Sequence, residues 1–491
     1  MDLSFDPDQI DLPIGHHIGG VFVPALGDLP MHRPSDGKEY AACPIAGTQI
    51  VDRAVAAAKE ALRTSGWGRG QPRDRTRALI RWANLMEADA KTLGQLEALA
   101  STRPIAQIKD GDIAVTTEQI RFFAEMADKE SSMLAPTRDD QMGFVNSEPY
   151  GVVGAITPWN FPISMAGWKL APALAAGNAV VLKPSEMTPF SAVRMADLAV
   201  QAGVPPGLIN VIQGDGATTG NALIGHPDIA KISFTGSTVA GASIMENIAR
   251  TGIKPMTLEL GGKSPQIIFA DADLDKSASA VATSLLANSG QACVAGTRLI
   301  VEALVAEAVI QKVIDLLSPI APGPTWDAKT THAPIISEKQ LERIDGIVKA
   351  TVSGGARVLC GGSRLDLPGS FYAPTVLVDL SKNAPALLQE IFGPVLTVQT
   401  FETEEEALRL AAHPTYGLAA GIFTRDLSRA IRVTKSLEVG TVWINRFGRS
   451  RDHILPTGGY KSSGIGKDLG REAYQANRRA KSVLIDLENA T

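Results

Sequence analysis

Cysteine is scarce in this sequence of 491 residues, which contains only three. Cys43, Cys293 and Cys360 lie far apart and lack the close spacing of a metal-binding knuckle or a redox pair. An odd, sparse set of cysteines in a long chain is typical of a reducing compartment. We therefore expect a cytoplasmic protein without a metal site.

Strong charge and long apolar segments are also missing. The 47 basic and 52 acidic side chains are interspersed and leave a formal net charge of -5, so no basic surface indicates nucleic acid as a partner. No apolar run approaches the roughly 20 residues that span a bilayer. The N-terminal segment has no basic region followed by an apolar core, so we expect neither a membrane anchor nor a secretory signal. The expected partners are small molecules and copies of the same chain.

Repeats and low-complexity tracts are absent too, which excludes a solenoid. What the sequence does contain is 45% hydrophobic residues, enough for the cores of two or three domains. Helical spacing of apolar residues predicts helices over residues 51–62, 75–97 and 113–129.

From Gly151 onward the pattern changes to short runs rich in Val and Ile that alternate with amphipathic stretches. The runs "GVVGAIT", "NAVVLKP", "LINVIQG" and "IAKISFTG" predict an α/β fold with a doubly wound parallel sheet, whose binding edge is at the carboxyl ends of its strands. A second α/β unit follows "LELGGKSP", with a long helix over residues 274–288. The final "AKSVLIDLE" predicts a strand with no local partner, which could extend the sheet of another subunit or pack on its own domain.

Three stretches after predicted strands carry polar groups suited to chemistry. In "TPWNFP" the prolines hold the amide of Asn160, which could donate to an oxyanion or cap the next helix. In "LKPSEMTP", Lys183 and Glu186 could bond a ribose or form an exposed ion pair. Gly216 in "QGDGATTG" and Ser237 in "FTGSTVAG" belong to glycine turns that could approach a dinucleotide or be structural only.

Glu259 and Cys293 are candidates for the reacting groups. Glu259 in "LELGGKSP" is a general base if it points into a buried cleft, where its pKa would rise, and an ordinary surface carboxylate if it points outward. Cys293 in "NSGQACVAG" is surrounded by small residues. It can be a packing residue, a spare thiol or a nucleophile with room for a substrate.

The combination of these segments resembles the aldehyde dehydrogenases of the NAD(P)-dependent, non-acylating superfamily. The resemblance covers the chain from about Pro34 to its end and rests on seven motifs in order: "PWNFP", "KPSE", "FTGS", "LELGGKSP", "GQACVAGTR", "EIFGPV" and "GGYKSSGIG". It implies that Cys293 is the nucleophile and Glu259 the base that activates the deacylating water. Asn160 and the Cys293 backbone amide would then stabilise the oxyanion.

The resemblance also implies NAD as the cofactor, with Glu186 accepting a bond from the ribose 2'-hydroxyl and repelling a 2'-phosphate. The expected cofactor contacts are Thr157, Trp159, Lys183, Glu186, Gly216, Phe234, Gly236, Ser237, Glu390 and Phe392.

An aldehyde tunnel is implied by Met165, Trp168, Ala292, Val294 and the loop "NRFGRSRDHILPT". Thr457 in that loop occupies a position that is aromatic in many relatives. The arginines of the loop, among them Arg446, could bind the far carboxylate of a semialdehyde, or they could be solvated. The main competitor is a general aliphatic or aromatic aldehyde, including an aminoaldehyde.

The family analogy divides the chain into three parts. Residues 1–126 and 150–260 would bind NAD, residues 261–460 would form the catalytic domain, and residues 127–149 and 470–491 would form an oligomerisation element of a homodimer or homotetramer. Two alternatives are a CoA-acylating semialdehyde dehydrogenase, which has no need of Glu259, and a non-catalytic structural or binding relative, which should have lost a catalytic residue.

Overall fold

The structure, a computed structural model, describes residues 3–449 and 453–487. The first part of the chain consists of short strands and a group of helices. Its elements are β1 (Gly15–Ile18), β2 (Val21–Pro24), β3 (Leu29–His32), β4 (Glu39–Cys43), α1 (Thr48–Ser65), α2 (Pro72–Ala88), α3 (Ala90–Ala100), α4 (Ile105–Gln107), α5 (Ala114–Met126), β5 (Met133–Ala135) and β6 (Gln141–Pro149).

The predicted helix over residues 75–97 is two helices in the structure. They meet at Asp89, whose backbone leaves the helical region at φ -94° and ψ 16°. The Asp89 carboxylate accepts a hydrogen bond from Arg194 Nε at 2.7 Å, which ties the break to a neighbouring helix. Apolar periodicity carries no signal for such a contact, because Arg194 is distant in sequence.

The next part alternates strands and helices, as predicted. Its elements are β7 (Val152–Ile156), α6 (Pro162–Ala175), β8 (Ala179–Lys183), α7 (Phe190–Gln201), β9 (Ile209–Val211), α8 (Asn221–Gly225), β10 (Lys231–Thr235), α9 (Thr238–Thr251) and β11 (Met256–Glu259).

The remaining elements form the second α/β unit and the end of the chain. They are β12 (Pro265–Ile268), α10 (Leu274–Leu286), β13 (Arg298–Glu302), α11 (Ala306–Leu317), α12 (Glu338–Ser353), β14 (Arg357–Cys360), β15 (Thr375–Val378), α13 (Pro385–Leu388), β16 (Val395–Phe401), α14 (Glu404–Ala411), β17 (Tyr416–Gly417), β18 (Ala419–Phe423), α15 (Leu427–Ser436), β19 (Thr441–Ile444), β20 (Tyr460–Lys461), β21 (Gly464–Ile465), α16 (Gly470–Ala476) and β22 (Arg478–Asp486).

The first sheet has eight strands in the order β2-β1-β9-β8-β7-β10-β11-β21. Its five central strands are parallel, whereas β1, β2 and β21 pair antiparallel at the two ends. The strand order reverses between β7 and β10, which makes the crevice at the carboxyl ends of these strands the expected ligand site of a doubly wound sheet. The predicted fold class is confirmed.

The second sheet has seven strands in the order β14-β15-β16-β13-β12-β18-β19 and is parallel except for β14. The chain passes from the first sheet to the second through residues 260–264, which join the carboxyl end of β11 to the amino end of β12. The region between the sheets therefore lies at the carboxyl edge of one and the amino edge of the other.

The terminal strand β22 has a partner in its own chain, which is one of the two alternatives that the sequence left open. It runs antiparallel to β6 over nine residue pairs, from Arg478 opposite Pro149 to Asp486 opposite Gln141. The order β22-β6-β5 leaves β22 at an edge of this small sheet. More than 300 residues separate the two strands, so no local signal in the sequence marks this pairing.

Helix α16 lies within residues 470–491, the segment that the family analogy assigned to the oligomerisation element, but it packs on the first sheet. The side chains of Ala473 and Tyr474 belong to the core of the first sheet. The part of this segment that pairs in the small sheet therefore begins at Arg478.

Helix α6 is buried along all 14 of its residues. Pro162 occupies its first turn, where a missing N–H is tolerated. Among the residues that the structure describes, no helix has both the length and the apolar character needed to cross a membrane.

Candidate active site

Cys293 lies in the loop between α10 and β13, on an unusual backbone. Asn288 and Ser289 adopt left-handed conformations with φ 50° and 53°, a conformation that non-glycine residues adopt only when their surroundings hold them. The Asn288 side chain supplies such contacts, because its Nδ2 donates to Asn160 O at 2.9 Å and its Oδ1 accepts from Thr102 Oγ1 at 2.6 Å. The loop that presents the thiol is therefore held from two sides.

Asn160 follows β7 and is buried beside the same loop. Its Nδ2 donates to Gln291 O at 2.9 Å, two residues before Cys293. An amide nitrogen has two N–H groups, so this bond fixes the side chain and leaves a second donor. The buried Glu97 supports the loop from below by accepting a bond from Ile163 N at 2.9 Å.

Glu259 is the last residue of β11 and is only 5% exposed, so its side chain points inward. Its Oε1 has no hydrogen-bond partner among the described residues. Burial raises the pKa of Glu259 well above that of an ordinary glutamate, and the Asp468 charge raises it further, whereas Lys169 lowers it. The inward orientation excludes the alternative of a surface carboxylate.

The Asp468 carboxylate next to Glu259 is neutralised by a buried lysine. Lys169 Nζ, on α6, donates to Asp468 Oδ2 at 2.5 Å, and the two side chains are 0% and 6% exposed. The sequence analysis did not identify this pair, since a lysine in an apolar helix and an aspartate in a glycine-rich loop form no local motif.

The Cys293 thiol is protonated at neutral pH. Burial raises its pKa to about 11, Arg449 acts in the opposite direction, and the carboxylates of Glu259 and Glu390 add to the increase. Because this pKa is high, a reaction at Cys293 requires a group that takes the proton of the thiol.

A cavity of about 470 Å³ opens beside Cys293. All four of the predicted tunnel residues outside the loop line it: Met165, Trp168, Ala292 and Val294. Asp112, Gln119, Phe161, Trp443, Phe447, Arg449 and His453 also contribute to its wall. The walls are mainly apolar, with a few polar groups at fixed places, as is usual for a small-molecule site.

The loop residues have three different positions. Arg449 lies in the cavity with its guanidinium 4.5 Å from the centre of the Trp168 ring, and it donates to Thr457 Oγ1. Thr457 itself is buried and does not line the cavity, so it holds Arg449 in place. Arg446 is exposed and donates to Gly448 O at 3.1 Å, which corrects its prediction as a tunnel residue. Arg451 lies outside the described residues.

Several predicted cofactor residues meet at the carboxyl edge of the first sheet. Thr157 N donates to Lys183 O at 3.1 Å, which joins the ends of β7 and β8. Lys183 Nζ lies 3.5 Å from a carboxylate oxygen of Glu186 and donates to Gly214 O at 2.6 Å, next to the turn of Gly216. Lys183 is buried, so the pair is not the exposed ion pair that the sequence left open.

The other cofactor residues lie around the start of α9. Ser237 caps this helix, because its Oγ accepts from Ala240 N at 3.2 Å. Gly236 N donates to Glu259 O at 3.0 Å. A Cβ atom on Gly236 would lie 2.4 Å from the Phe234 ring, so a larger residue there would force the ring to move.

Glu390 and Phe392 approach from the second sheet. Glu390 Oε1 accepts from Gly262 N at 3.1 Å, and burial raises its pKa to about 7. Phe392 has a left-handed backbone with φ 56°, and its ring packs edge-on against Trp159 with 5.3 Å between centroids.

Two residues that the sequence analysis missed support this segment. Gln340 Nε2 donates to the carbonyl oxygens of Ile391 and Phe392, both at 3.1 Å. Arg343 donates to the carbonyl oxygens of Glu390 and Ile391 at 2.6 and 2.9 Å. Both are on α12, about fifty residues earlier, and no local pattern marks them.

The comparisons with known proteins identify the class. The model of the Aldehyde dehydrogenase family matches residues 23–483. The chain therefore belongs to the aldehyde dehydrogenase family, and the resemblance is confirmed.

Individual relatives extend this result. P. syringae AldA, an indole-3-acetaldehyde dehydrogenase crystallised with NAD+, superposes with a TM-score of 0.95 at 37% identity, covering 98% of each chain. A gamma-glutamyl-gamma-aminobutyraldehyde dehydrogenase from Burkholderia cenocepacia superposes with a TM-score of 0.94 at 39% identity, again covering 98% of each chain.

A curated relative is considerably longer. The cytosolic 10-formyltetrahydrofolate dehydrogenase of Xenopus tropicalis is 37% identical over 485 residues, which are 97% of this chain and 54% of that protein. The chain thus spans about half the length of this curated relative.

Proposed function

We propose that this protein is an NAD-dependent aldehyde dehydrogenase that oxidises an aldehyde to a carboxylic acid with water. The observation that carries the proposal is that Asn160 and Glu259 lie beside Cys293, which lines the cavity, although the three come from separate segments: Asn160 bonds to Gln291 O, and the Glu259 charge acts on the thiol. Family membership and neighbours crystallised with NAD+ support it.

The protein groups have distinct parts in this reaction. Cys293 loses its proton to Glu259, directly or through water, and Glu259 passes that proton to solvent. The thiolate adds to the aldehyde carbon, and the alkoxide accepts bonds from Asn160 Nδ2 and the Cys293 N–H. NAD, when bound, supplies the hydride acceptor. Glu259 then takes a proton from the water that hydrolyses the thioester, which suits a buried carboxylate with a raised pKa.

The proposed cofactor site fits a dinucleotide. Ser237 and the N-terminus of α9 can receive the pyrophosphate, and Lys183 and Glu186 the adenosine ribose. Val239, on the first turn of α9, is 82% exposed although it is apolar, a surface that an adenine ring would cover. On the other side, Glu390 and Phe392 would contact the nicotinamide ribose and ring.

We propose a preference for NAD over NADP because the Glu186 carboxylate stands where a 2'-phosphate would enter. The test compares kcat/KM for the two cofactors in the wild type and in Glu186→Ser. We expect the ratio of kcat/KM for NADP to that for NAD to rise by about tenfold, which is the typical contribution of one charge-assisted hydrogen bond. An unchanged ratio contradicts this role for Glu186.

For the substrate, we propose an aldehyde with a carboxylate at its far end. Arg449 is a half-buried cation in the wall of the cavity, stacked on Trp168. The only carboxylate in that wall, among the residues described, is Asp112, and Arg103 neutralises it through bonds of 2.8 and 3.1 Å. Arg449 is therefore not paired with a carboxylate of the wall, and a guanidinium is suited to bind a carboxylate.

The experiment for the reaction measures NADH formation with a panel of aldehydes, with and without CoA, in the wild type and Cys293→Ala. Formation of the free acid without CoA, and its loss in the variant, supports hydrolytic oxidation. Dependence on CoA would favour the acylating alternative, and activity that survives in Cys293→Ala would overturn the mechanism. No activity on any aldehyde would favour a non-catalytic binding protein.

A homodimer or homotetramer is proposed from the unpaired edge of β22. The surrounding surface of the small sheet exposes Met133, Leu134 and Leu484 at 62%, 70% and 63%. Such a patch beside a free strand edge favours contact with a second copy. Sedimentation of the wild type and of Leu484→Lys tests this, and the cytosolic relative supports a cytoplasmic location.

A further inference from the structure

A second, smaller cavity of about 110 Å³ lies at the amino edge of the second sheet. Its wall is formed where β12, β13 and β18 begin and where α14 and α15 end, and it includes Lys263, Arg298, His413, Glu438 and Lys461. This volume holds about three water molecules or one small anion, which excludes a nucleotide.

Lys263 is the notable group of this wall. It is only 2% exposed, and its Nζ has no hydrogen-bond partner among the described residues. A buried ammonium group without a partner is costly, and proteins usually pair it with a carboxylate or bind a ligand to it. Burial lowers the pKa of Lys263 to about 7, with Arg298 acting in the same direction.

Arg298 provides a second positive charge at the same wall. Its guanidinium donates to Lys263 O at 2.8 Å, to Leu410 O at 3.0 Å and to Ala411 O at 2.7 Å. These bonds hold it rigidly beneath the end of α14. All of its partners are neutral carbonyl groups, so none of them is an anion that cancels its charge.

The carboxylates near the cavity have other partners. Glu438 pairs with Lys461 at 2.7 Å, and Glu390 accepts the bond from Gly262 N at 3.1 Å. His413 is a neutral neighbour whose Nδ1 accepts from Thr415 N and Tyr416 N, both at 3.1 Å, so its proton is on Nε2. Among the described residues, the wall carries Lys263, Arg298 and Lys461 against the one carboxylate of Glu438, and Glu390 acts on Lys263 from nearby, so basic groups are in excess at this wall.

We propose that this cavity is a binding site for a small oxyanion of the phosphate or sulfate class, with Lys263 as its principal donor. The two fixed cations supply the attraction, and the enclosed volume limits the size of the ligand. The site is separate from the Cys293 cavity, so the proposal does not depend on which aldehyde is oxidised.

The test titrates inorganic phosphate into the full-length wild type by calorimetry and follows Tm in parallel. We expect one saturable site per chain and a rise in Tm on the order of 2 °C at phosphate well above Kd. Sulfate should behave in the same way. Sodium chloride at equal ionic strength should not, because a chloride ion offers a single centre to donors spread around the wall.

Two variants distinguish binding from a general salt effect. Lys263→Met keeps the length of the side chain and removes its charge, so the saturable response should disappear. Lys312→Met, at a surface ion pair with Asp275, should keep it. An equal response in Lys263→Met and the wild type overturns the proposal, and so does the absence of saturable binding in the wild type, which would identify Lys263 as a hydrated lysine.

Discussion

Two buried lysines on opposite sides of the active-site region have contrasting surroundings. Lys169, behind the carboxyl edge of the first sheet, pairs with Asp468 at 2.5 Å. Lys263, at the amino edge of the second sheet, has no partner for its Nζ among the described residues. The Lys169 charge lowers the pKa of Glu259 from within the protein, whereas the Lys263 ammonium group remains available to a ligand.

The largest effect is expected for Lys169→Met. The substitution leaves Asp468 buried without its counterion, which costs about 3–5 kcal/mol of the free energy of unfolding. It also removes the charge that lowers the pKa of Glu259, so that pKa should rise. Urea denaturation measures the loss of stability, and Lys169→Met combined with Asp468→Leu should recover most of it. If Lys169→Met were as stable as the wild type, the ion pair of Lys169 with Asp468 would not stabilise the fold, and the proposed difference between the two lysines would be wrong.

Glu259→Gln tests the proposed general base, whose pKa the Lys169 charge lowers. Removing a general base is expected to lower kcat by about 10²–10⁴-fold. In the wild type, kcat should increase with pH through the raised pKa of Glu259, because only the ionised carboxylate accepts a proton. The variant should lack this inflection, and a rapid burst of NADH in the variant would show that hydride transfer precedes the impaired hydrolysis. The same pH profile in both proteins would exclude Glu259 as the base.

Arg449→Met extends the comparison to the half-buried cation of the aldehyde cavity. If Arg449 binds a substrate carboxylate, kcat/KM for succinic semialdehyde relative to butanal should fall by about 10–100-fold, the value of a charge-assisted hydrogen bond. The ratio is the informative quantity, because Arg449 also lowers the pKa of Cys293 and thereby affects both substrates. Arg446→Met is the matched control, since this exposed arginine of the same loop does not line the cavity. Equal kcat/KM for both aldehydes in the wild type would show that the enzyme does not recognise a carboxylate at the far end of its substrate.

The smallest effect is expected for the stability of Lys263→Met. Without phosphate, the variant should be more stable than the wild type by about 1 kcal/mol at neutral pH, since it no longer buries an unpaired charge. The pKa of Lys263 is about 7 in the folded protein and 10.5 as a free group, so the unfolded chain binds more protons between these values. Wild-type stability should therefore rise with pH in this range, and the difference between the two proteins should shrink. Urea denaturation at several pH values between 8 and 9 measures this, above the pKa of about 7 of Glu390 and below that of about 10 of Arg298. A constant difference would show that Lys263 is not buried as a charge.

Much of the fold could be predicted from the sequence, because its signals are local. The Val- and Ile-rich runs from Gly151 onward predicted the parallel strands, and the joint motifs predicted the family. The prediction of one helix over residues 75–97 was wrong, since the chain breaks at Asp89, whose carboxylate bonds to the distant Arg194. The sequence left two alternatives open for β22, and the structure pairs it with β6.

By itself the sequence determined which chemical groups are present and in what order. A thiol among small residues, a carboxylate at a strand end and an amide between prolines each left an alternative open, and the seven motifs in order gave the resemblance to the aldehyde dehydrogenases. Only the tertiary structure decided which way these groups point and what surrounds them. It turned Glu259 inward, placed Arg449 rather than Arg446 in the cavity, and paired Lys169 while leaving Lys263 without a partner. The physical reason is that burial and charge are properties of neighbours in space, and those neighbours come from segments hundreds of residues apart.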